Sequence, residues 1–203
     1  MCEDAELVTE RLVIKTLTDE AALLMVYEQC ADYLALQTPE PPSGAMVQSD
    51  VATTAKNGGV FAGIFRRESN DLIGVISFVP QNFRGQRDYA FVLNLMIAAA
   101  YRRHGYGTEA YRAVEEFIWR NENVKRIGTL LLPQHEPSYA FAGKQGFERA
   151  GGPFKNRRGY GLWAFSKKRP GLAETPGEVI WRETQQALGG DTPFNAPLLR
   201  SEN

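Results

Sequence analysis

The chain has 203 residues, 43% of them hydrophobic and 23% charged, which fits one folded domain or one domain with an appendage. No apolar run approaches the roughly 18 residues of a membrane-spanning helix. The longest run, Tyr89–Tyr101, contains Asn94. The acidic start does not resemble a secretory signal, and Cys2 and Cys30 cannot alone form a disulfide framework or a zinc site. We therefore expect a cytoplasmic protein that uses neither a membrane nor a metal.

The net charge of −1 conceals an uneven distribution of charge along the chain. Residues 1–50 carry 10 acidic and 2 basic side chains, whereas residues 84–169 carry 16 basic and 7 acidic ones. Such a split suggests that the second part meets an anion and that the first part favours a cation. Two halves that neutralise each other across the fold would show the same split.

Hydrophobic periodicity and turn residues predict the secondary structure in chain order. A strand comes first, and Thr18 is the predicted cap of the helix that follows it. The predicted strands are Leu7–Leu17, Val60–Arg66, Leu72–Val79, Tyr89–Ile97, Ile127–Leu132, Phe147–Gly151 and Tyr160–Lys167. The predicted helices are Ala21–Leu36, Ala45–Lys56, Gly105–Asn121 and Ser138–Gln145.

The order of these elements predicts the fold class. A hairpin section precedes a strand-helix-strand crossover, which favours an α+β protein with a mixed sheet and helices on both faces. Past Pro170 the composition changes, and a short helix is predicted over 175–187. We therefore divide the chain into a domain, 1–169, and a C-terminal appendage, 170–203. The appendage either packs on the domain or on a partner subunit, or forms a tether.

The stretch Leu95–Ala110, with the sequence LMIAAAYRRHGYGTEA, is the most informative part of the chain. A buried strand runs into a glycine-containing loop, and a helix begins there. The first turn of a helix presents unpaired N–H groups and a positive dipole end, and glycines let the backbone approach an anion closely. The pattern predicts an anion cradle whose spacing differs from the common nucleotide motifs. A glycine-rich turn without a ligand is the alternative.

Four motifs in order resemble the GNAT N-acetyltransferases, and in particular their RimJ/RimL-like branch. Arg102–Gly107 looks like the acyl-CoA pyrophosphate loop of that family. Val8–Leu12 (VTERL) is similar to the first strand of the branch, and Gly105–Ala110 (GYGTEA) is similar to its helix start. A later segment of the branch resembles Arg126-Ile127, followed by Pro137-Ser138 and Gly146-Phe147-Glu148. The resemblance covers about residues 7–168.

The resemblance implies that acetyl-CoA is the co-substrate. It implies a mostly antiparallel central sheet in which two parallel central strands are splayed and the cofactor lies in the gap between them. The backbone of Leu95, Met96 and Ile97 would bind the pantetheine arm, and the free strand-edge amide near Leu95–Met96 would polarise the thioester carbonyl. The pyrophosphate would be held by Arg102, Arg103, His104, Gly105, Tyr106, Gly107 and Thr108.

The catalytic positions of the family are only partly matched. Many relatives carry a tyrosine where this chain has Ala142, and a glutamate where it has Phe91 and Val92. In the RimJ/RimL-like branch a serine takes the place of the tyrosine near the sulfur atom, and Ser138 matches that serine. A helix cap is the alternative role for Ser138.

Two further polar residues complete the candidate catalytic set. Asn94 is the polar residue inside the central strand, where it orients a water molecule or accommodates a β-bulge. His135 stands where the branch usually has asparagine. A histidine there could act as an acid or base near pH 7, or it could be an exposed loop residue. We take Ser138, Asn94 and His135 as the candidate catalytic residues.

Two functions from different classes fit these observations. The first is transfer of an acetyl group from acetyl-CoA to a primary amine, either a protein N-terminus or a small amine, by direct attack in a ternary complex. The second is a non-catalytic acyl-CoA-binding sensor or scaffold module. We expect no nucleic-acid partner, because the net charge is near zero and the basic residues are scattered, and a homodimer is expected of the family. Candidate residues for the acceptor side are Glu28, Asp32, Tyr33, Glu40, Asp50, Phe83 and Trp163.

Overall fold

The computed structural model describes residues 6–155 and 161–173. Within these ranges the strands are β1 (Leu7–Val8), β2 (Leu12–Thr16), β3 (Val60–Arg66), β4 (Leu72–Val79), β5 (Tyr89–Ile97), β6 (Arg126–Leu131), β7 (Glu148–Lys155) and β8 (Gly161–Lys168). The helices are α1 (Glu20–Gln29), α2 (Ala31–Leu34), α3 (Gly44–Lys56), a 3₁₀ helix (Ala99–Tyr101), α4 (Tyr106–Trp119) and α5 (Glu136–Lys144). Strands β3, β4 and β5 have the predicted bounds, because turn-forming residues border them.

The predicted first strand, Leu7–Leu17, is wrong in one respect, because the structure divides it into a small hairpin. β1 pairs antiparallel with β2, and Leu7 lies opposite Ile14. The turn between them closes on Thr9, whose hydroxyl oxygen accepts a hydrogen bond from the Leu12 amide at 2.9 Å. No glycine or proline marks this turn in the sequence, so a pattern of apolar residues alone does not reveal it.

The predicted helix over Ala21–Leu36 is likewise two helices, α1 and α2, which are separated at Cys30. The backbone of Cys30 leaves the helical region, with φ −114° and ψ 18°. Asp19 rather than Thr18 caps α1, and its carboxylate accepts a hydrogen bond from the Ala22 amide at 3.1 Å. Cysteine does not break helices by itself, so the interruption follows from the packing around it.

The strands of the described ranges form one sheet in the order β1-β2-β3-β4-β5-β6-β8-β7. Only β5 and β6 are parallel, and the other neighbours are antiparallel. Helices α1 to α3 pack on one face, over a cluster that includes Phe61, Val75 and Met96. Helices α4 and α5 pack on the other face, where Tyr111 and Ala142 are buried. The predicted α+β class, with a mixed, mostly antiparallel sheet, is confirmed.

The parallel strands β5 and β6 separate halfway along β5. Their register runs from Tyr89 opposite Arg126 to Val92 opposite Thr129, and β5 continues to Ile97 beyond the last pair. β6 meanwhile remains paired with β8 as far as Leu131. A gap therefore opens between two splayed central strands, as predicted.

A β-bulge lies where the strands separate. Asn94 pairs with Ser77 of β4, whereas Val92 pairs with Phe78, so that Leu93 is an extra residue in β5. Directly paired side chains share a face of the sheet, and residues two apart in a strand also share a face. Asn94 and Ser77 therefore lie on the face that α1 to α3 cover.

Arg169 anchors the C-terminal end of the last strand. Its guanidinium donates hydrogen bonds to the carbonyl oxygens of Val124, Trp119 and Asn121 at 2.8, 3.0 and 2.5 Å. The helix predicted over 175–187 lies outside the described residues. In the ranges that the structure describes, no helix has the length and apolar character needed to cross a membrane.

Candidate functional site

The loop after β5 ends in a left-handed turn at which α4 begins. Gly105 is the N-cap of α4 with a φ of +83°, and Arg103 has a φ of +67°. A Cβ on Gly105 would lie 3.3 Å from the Arg11 guanidinium, so the backbone conformation and the available space both favour glycine. No side chain caps α4. The first amides of α4 therefore lack the usual side-chain acceptor, an arrangement in which a helix start can bind an anion.

The open edge of β5 presents alternate residues to the gap. The Ala98 amide donates to the Ile73 carbonyl oxygen of the β4 side at 2.9 Å, whereas the Ile97 carbonyl oxygen accepts from Arg102 Nε at 2.8 Å. Because backbone groups alternate along a strand, Leu95 and Ile97 direct their N–H and C=O groups into the gap, and Met96 directs its own toward β4. The Met96 side chain is buried in the core beneath α1 to α3.

Arg102 connects the loop to α2. Its guanidinium forms a two-point ion pair with the Asp32 carboxylate, with N–O distances of 2.5 and 2.8 Å, while Nε holds the Ile97 carbonyl oxygen. The Arg102 hydrogen bond lowers the pKa of Asp32. Cys30 Sγ also lies 3.5 Å from the Ile97 oxygen. Among the residues predicted to hold the pyrophosphate, Arg102 thus has its side chain engaged elsewhere.

His135 and Ser138 form a hydrogen-bonded pair at the start of α5. His135 Nδ1 lies 2.5 Å from Ser138 Oγ. α5 begins at Glu136, with His135 as its N-cap residue and no side-chain cap. Ser138 is therefore inside the first turn, and the alternative role of helix cap does not apply to it.

The surroundings of His135 favour the neutral imidazole. The Tyr33 ring lies 4.8 Å from the imidazole, centroid to centroid. Burial lowers the pKa of His135, Arg102 lowers it further, and Asp32 acts in the opposite direction. Neutral imidazole can accept a proton at one ring nitrogen, so this pair can act as a base.

Asn94 lies at the point where β5 and β6 separate. Ser77, its partner across β4, is fully buried, and its hydroxyl has no hydrogen-bond partner among the described residues. The bulge that the sequence offered as one explanation of Asn94 is present. Asn94 thus places a polar side chain on the face that α1 to α3 cover, two residues past the last β5–β6 pair.

The residues considered for the acceptor side are differently placed. Tyr33 contacts His135, and Asp32 is bound to Arg102. The Asp50 carboxylate accepts a hydrogen bond from the Tyr27 hydroxyl at 2.7 Å, so neither of these two carboxylates is free for a cation. The other candidates are Glu28 and Glu40, which are exposed, Phe83, stacked on Phe91, and Trp163, which carries the Arg149 guanidinium over its ring.

Three residues beside the loop were missed as contributors to the site. Thr9 and Arg11 of the first turn both bind Glu109 of α4. The sequence does contain a signal for them, because Thr9 and Arg11 belong to the VTERL motif and Glu109 belongs to the GYGTEA motif. Their pairing depends on the turn between β1 and β2, which the sequence did not reveal.

Comparison with known proteins agrees with this geometry. The family model described as acetyltransferase (GNAT) domain matches residues 11–148, more than half of the chain. The chain therefore belongs to the GNAT acetyltransferase family, and its enzyme class is that of an N-acetyltransferase.

The individual relatives have low sequence identity to this chain. The chain is 26% identical to the uncharacterized N-acetyltransferase YoaA of Bacillus subtilis (strain 168) over 149 residues, which are 70% of this chain and 82% of that protein. A ribosomal-protein-S5-alanine acetyltransferase from Vibrio fischeri superposes with a TM-score of 0.62 at 16% identity, covering 84% of this chain and 100% of the other. An aminoglycoside acetyltransferase in complex with coenzyme A and kanamycin gives a TM-score of 0.60 at 20% identity, covering 78% and 95% of the two chains. At these identities the two structures share the fold.

Proposed function

We propose that this protein transfers an acetyl group from acetyl-CoA to a primary amine by direct attack in a ternary complex. The observation that carries the proposal is the gap between β5 and β6, which ends at the uncapped N-terminus of α4. An open strand edge and an anion-binding helix start, side by side, fit a ligand with an amide-containing arm and a pyrophosphate.

The donor is acetyl-CoA, and the backbone holds most of it. The amides from Arg103 to Thr108 bind the pyrophosphate. The pantetheine arm pairs with β5 through Leu95 and the Ile97 amide, since the Ile97 carbonyl oxygen is held by Arg102. The Leu95 amide then polarises the thioester carbonyl.

The His135–Ser138 pair moves the proton. The amine nitrogen forms a bond to the acetyl carbon, the carbon–sulfur bond breaks, and the nitrogen loses one proton. Neutral His135 accepts that proton at one ring nitrogen, the protonated imidazole gives a proton from Nδ1 to Ser138 Oγ, and Ser138 gives its own hydroxyl proton to the departing thiolate, which leaves as the CoA thiol. Asn94 lies on the acceptor face, where its amide orients the incoming amine or a water molecule.

The acceptor that we propose is a protein N-terminus or a small amine. The VTERL and GYGTEA motifs support membership of the RimJ/RimL-like branch. The resemblance to that branch suggests a protein N-terminus as the acceptor. The structural neighbours named above include enzymes for a ribosomal protein and for an aminoglycoside, so both acceptor types belong in the test. A non-catalytic acyl-CoA module is less well supported, because the His135–Ser138 pair supplies a proton path in place of the missing tyrosine.

The test measures release of the CoA thiol from acetyl-CoA with two kinds of acceptor. One is a set of N-terminal peptides of ribosomal proteins, and the other is kanamycin. We expect release that depends on the amine. Ser138→Ala should lower kcat by about 10²-fold, the lower end of general acid–base contributions, without changing affinity for CoA. Ser69→Ala, the same change in the exposed β3–β4 turn, is the matched control. Tight binding of acetyl-CoA without transfer to any amine would instead favour the non-catalytic module.

A further inference from the structure

Glu109, in the first turn of α4, uses both carboxylate oxygens to bind the turn between β1 and β2. Oε1 accepts hydrogen bonds from the Thr9 hydroxyl at 2.6 Å and from the Arg11 amide at 2.9 Å. Oε2 accepts from Arg11 Nε at 2.7 Å and lies 2.6 Å from Arg11 Nη2. The Glu109 side chain is only 17% exposed, and these contacts lower its pKa despite the opposing effect of burial. We call Thr9, Arg11 and Glu109 the bracket.

From this position Arg11 reaches three successive residues of the loop. Its Nη1 donates a hydrogen bond to the His104 carbonyl oxygen at 3.0 Å. Its Nη2 lies 3.3 Å from the place that a Cβ of Gly105 would occupy, and the guanidinium lies over the Tyr106 ring, 4.6 Å from the centroid. One side chain therefore fixes the segment that leads into α4.

The hydrogen bond to His104 also fixes the direction of the next amide. In a planar trans peptide the C=O of one residue and the N–H of the following residue point in opposite directions. With the His104 carbonyl held toward Arg11, the Gly105 N–H points away from the bracket. The loop needs such support, because Arg103 adopts a left-handed backbone that is unfavourable for residues with a side chain.

We propose that the bracket is a positioning device for the pyrophosphate loop, so that affinity for acetyl-CoA depends on the turn between β1 and β2. This inference rests on the proposed function of the loop. It gives the VTERL motif a physical role, because Thr9 and Arg11 are two of its residues. Thr9, Arg11 and Glu109 are positioning residues, since they act through the loop.

The experiment compares CoA dissociation constants and amide hydrogen exchange for Arg11→Gln, Glu109→Gln and the double variant. Each single variant should weaken CoA binding about tenfold, as expected when a charged hydrogen-bond network is lost, while kcat at saturating acetyl-CoA stays within about twofold. Arg11 and Glu109 act as one unit. The double variant should therefore bind CoA no more weakly than the single variant that has the lower CoA affinity. In the ligand-free protein, the amides of residues 103–108 should exchange faster in all three variants.

Two further variants separate positioning from charge. Arg66→Gln also removes one positive charge close to Arg11, but the Arg66 side chain is paired with Glu68 and Asp71 of the β3–β4 turn, so CoA affinity should be unchanged. Arg11→Lys keeps the charge but not the planar fork, so it should still weaken binding. Thermal melting of every variant verifies that it is folded.

Several results would overturn the inference. One is CoA affinity within twofold of wild type in both single variants together with unchanged exchange of the loop amides. Equal weakening by Arg66→Gln would assign the effect to charge alone. If the wild-type protein does not bind CoA, the proposed function fails, and the exchange measurement still decides whether the bracket orders the loop.

Discussion

His135 and Ser138 are three residues apart, and the start of α5 between them determines that they meet. Glu136 and Pro137 occupy the first helical positions, so Ser138 turns back toward the imidazole of the residue that precedes the helix. The contact of His135 with Tyr33 removes part of the ring from water. The partial burial of the ring therefore favours the neutral form of His135, which is hydrogen-bonded to Ser138.

The first prediction at this scale is a pH dependence. In the proposed mechanism neutral His135 accepts the proton, so kcat/KM for the acceptor should fall as the pH drops through the His135 pKa, which burial and Arg102 hold below the ordinary imidazole value. A second limb near pH 8 belongs to an α-amine acceptor itself. His135→Gln should remove the lower limb and leave the upper one. An unchanged lower limb in that variant would exclude His135 as the base.

The sequence indicated these residues singly but not as a pair. The helix was predicted to begin at Ser138, where serine is a common cap, whereas proline in the first turn allows it to begin at Glu136. Shifting the start by two residues changes Ser138 from a cap into a partner of His135. The pairs Arg102–Asp32 and Thr9–Glu109 were equally hidden, because each joins segments that are far apart in the chain.

At the scale of elements, α2 connects parts of the site that the sequence left separate. Asp32 binds Arg102 of the loop after β5, Tyr33 contacts His135, and the Leu36 carbonyl oxygen just beyond α2 accepts a hydrogen bond from Gln134 at 3.1 Å. One continuous helix from α1 would not bend at Cys30 to make these contacts. The periodicity predicts helical residues correctly here, but the bend depends on tertiary contacts that no local pattern contains.

The second prediction concerns the start of α4. Gly105→Val should abolish the rise in Tm that acetyl-CoA produces, because a branched side chain strains the left-handed backbone and crowds the cradle. At about 100 times its dissociation constant, the ligand should stabilise the wild-type protein by roughly 2.7 kcal/mol, a shift of several degrees.

The matched control for this prediction is Gly85→Val. Gly85 has a φ of +82°, close to that of Gly105, but a Cβ there would have open space around it. Both variants should lose stability through backbone strain, and only Gly105→Val should lose the response to acetyl-CoA. Equal responses in the two variants would remove the loop from the cofactor site.

At the scale of the whole molecule, the acidic and the basic segments of the chain form different parts of the fold. The acidic first 50 residues include α1, α2 and most of α3 up to Asp50, on the face proposed for the amine. The basic segment 84–169 contains the loop, α4 and the strands on both sides of the gap. The ion pair between Arg102 and Asp32 joins the two parts, so mutual neutralisation, one of the two explanations of the charge split, has a structural counterpart.

The third prediction concerns the boundary between domain and appendage. A chain that ends at Arg169 should keep cooperative melting, because Arg169 makes the last set of hydrogen bonds that join β8 to the α4–β6 connection. In the full chain, Arg169→Ala should lower stability by about 1–3 kcal/mol, since three partly buried carbonyl groups lose a charged partner. Loss of cooperative melting in the shortened chain would place the appendage within the folding unit.

The short register between β5 and β6 has a mechanical consequence. Backbone pairing between these strands ends at Val92 and Thr129. The β5–β6 pair therefore has fewer backbone hydrogen bonds than two fully paired strands of the same length. A pantetheine arm that lay along Leu95 and Ile97 would extend the hydrogen-bond ladder from β5 into the gap between β5 and β6. In the proposed binding mode acetyl-CoA would act as a temporary strand beside β5, and each turnover would remove and replace that strand.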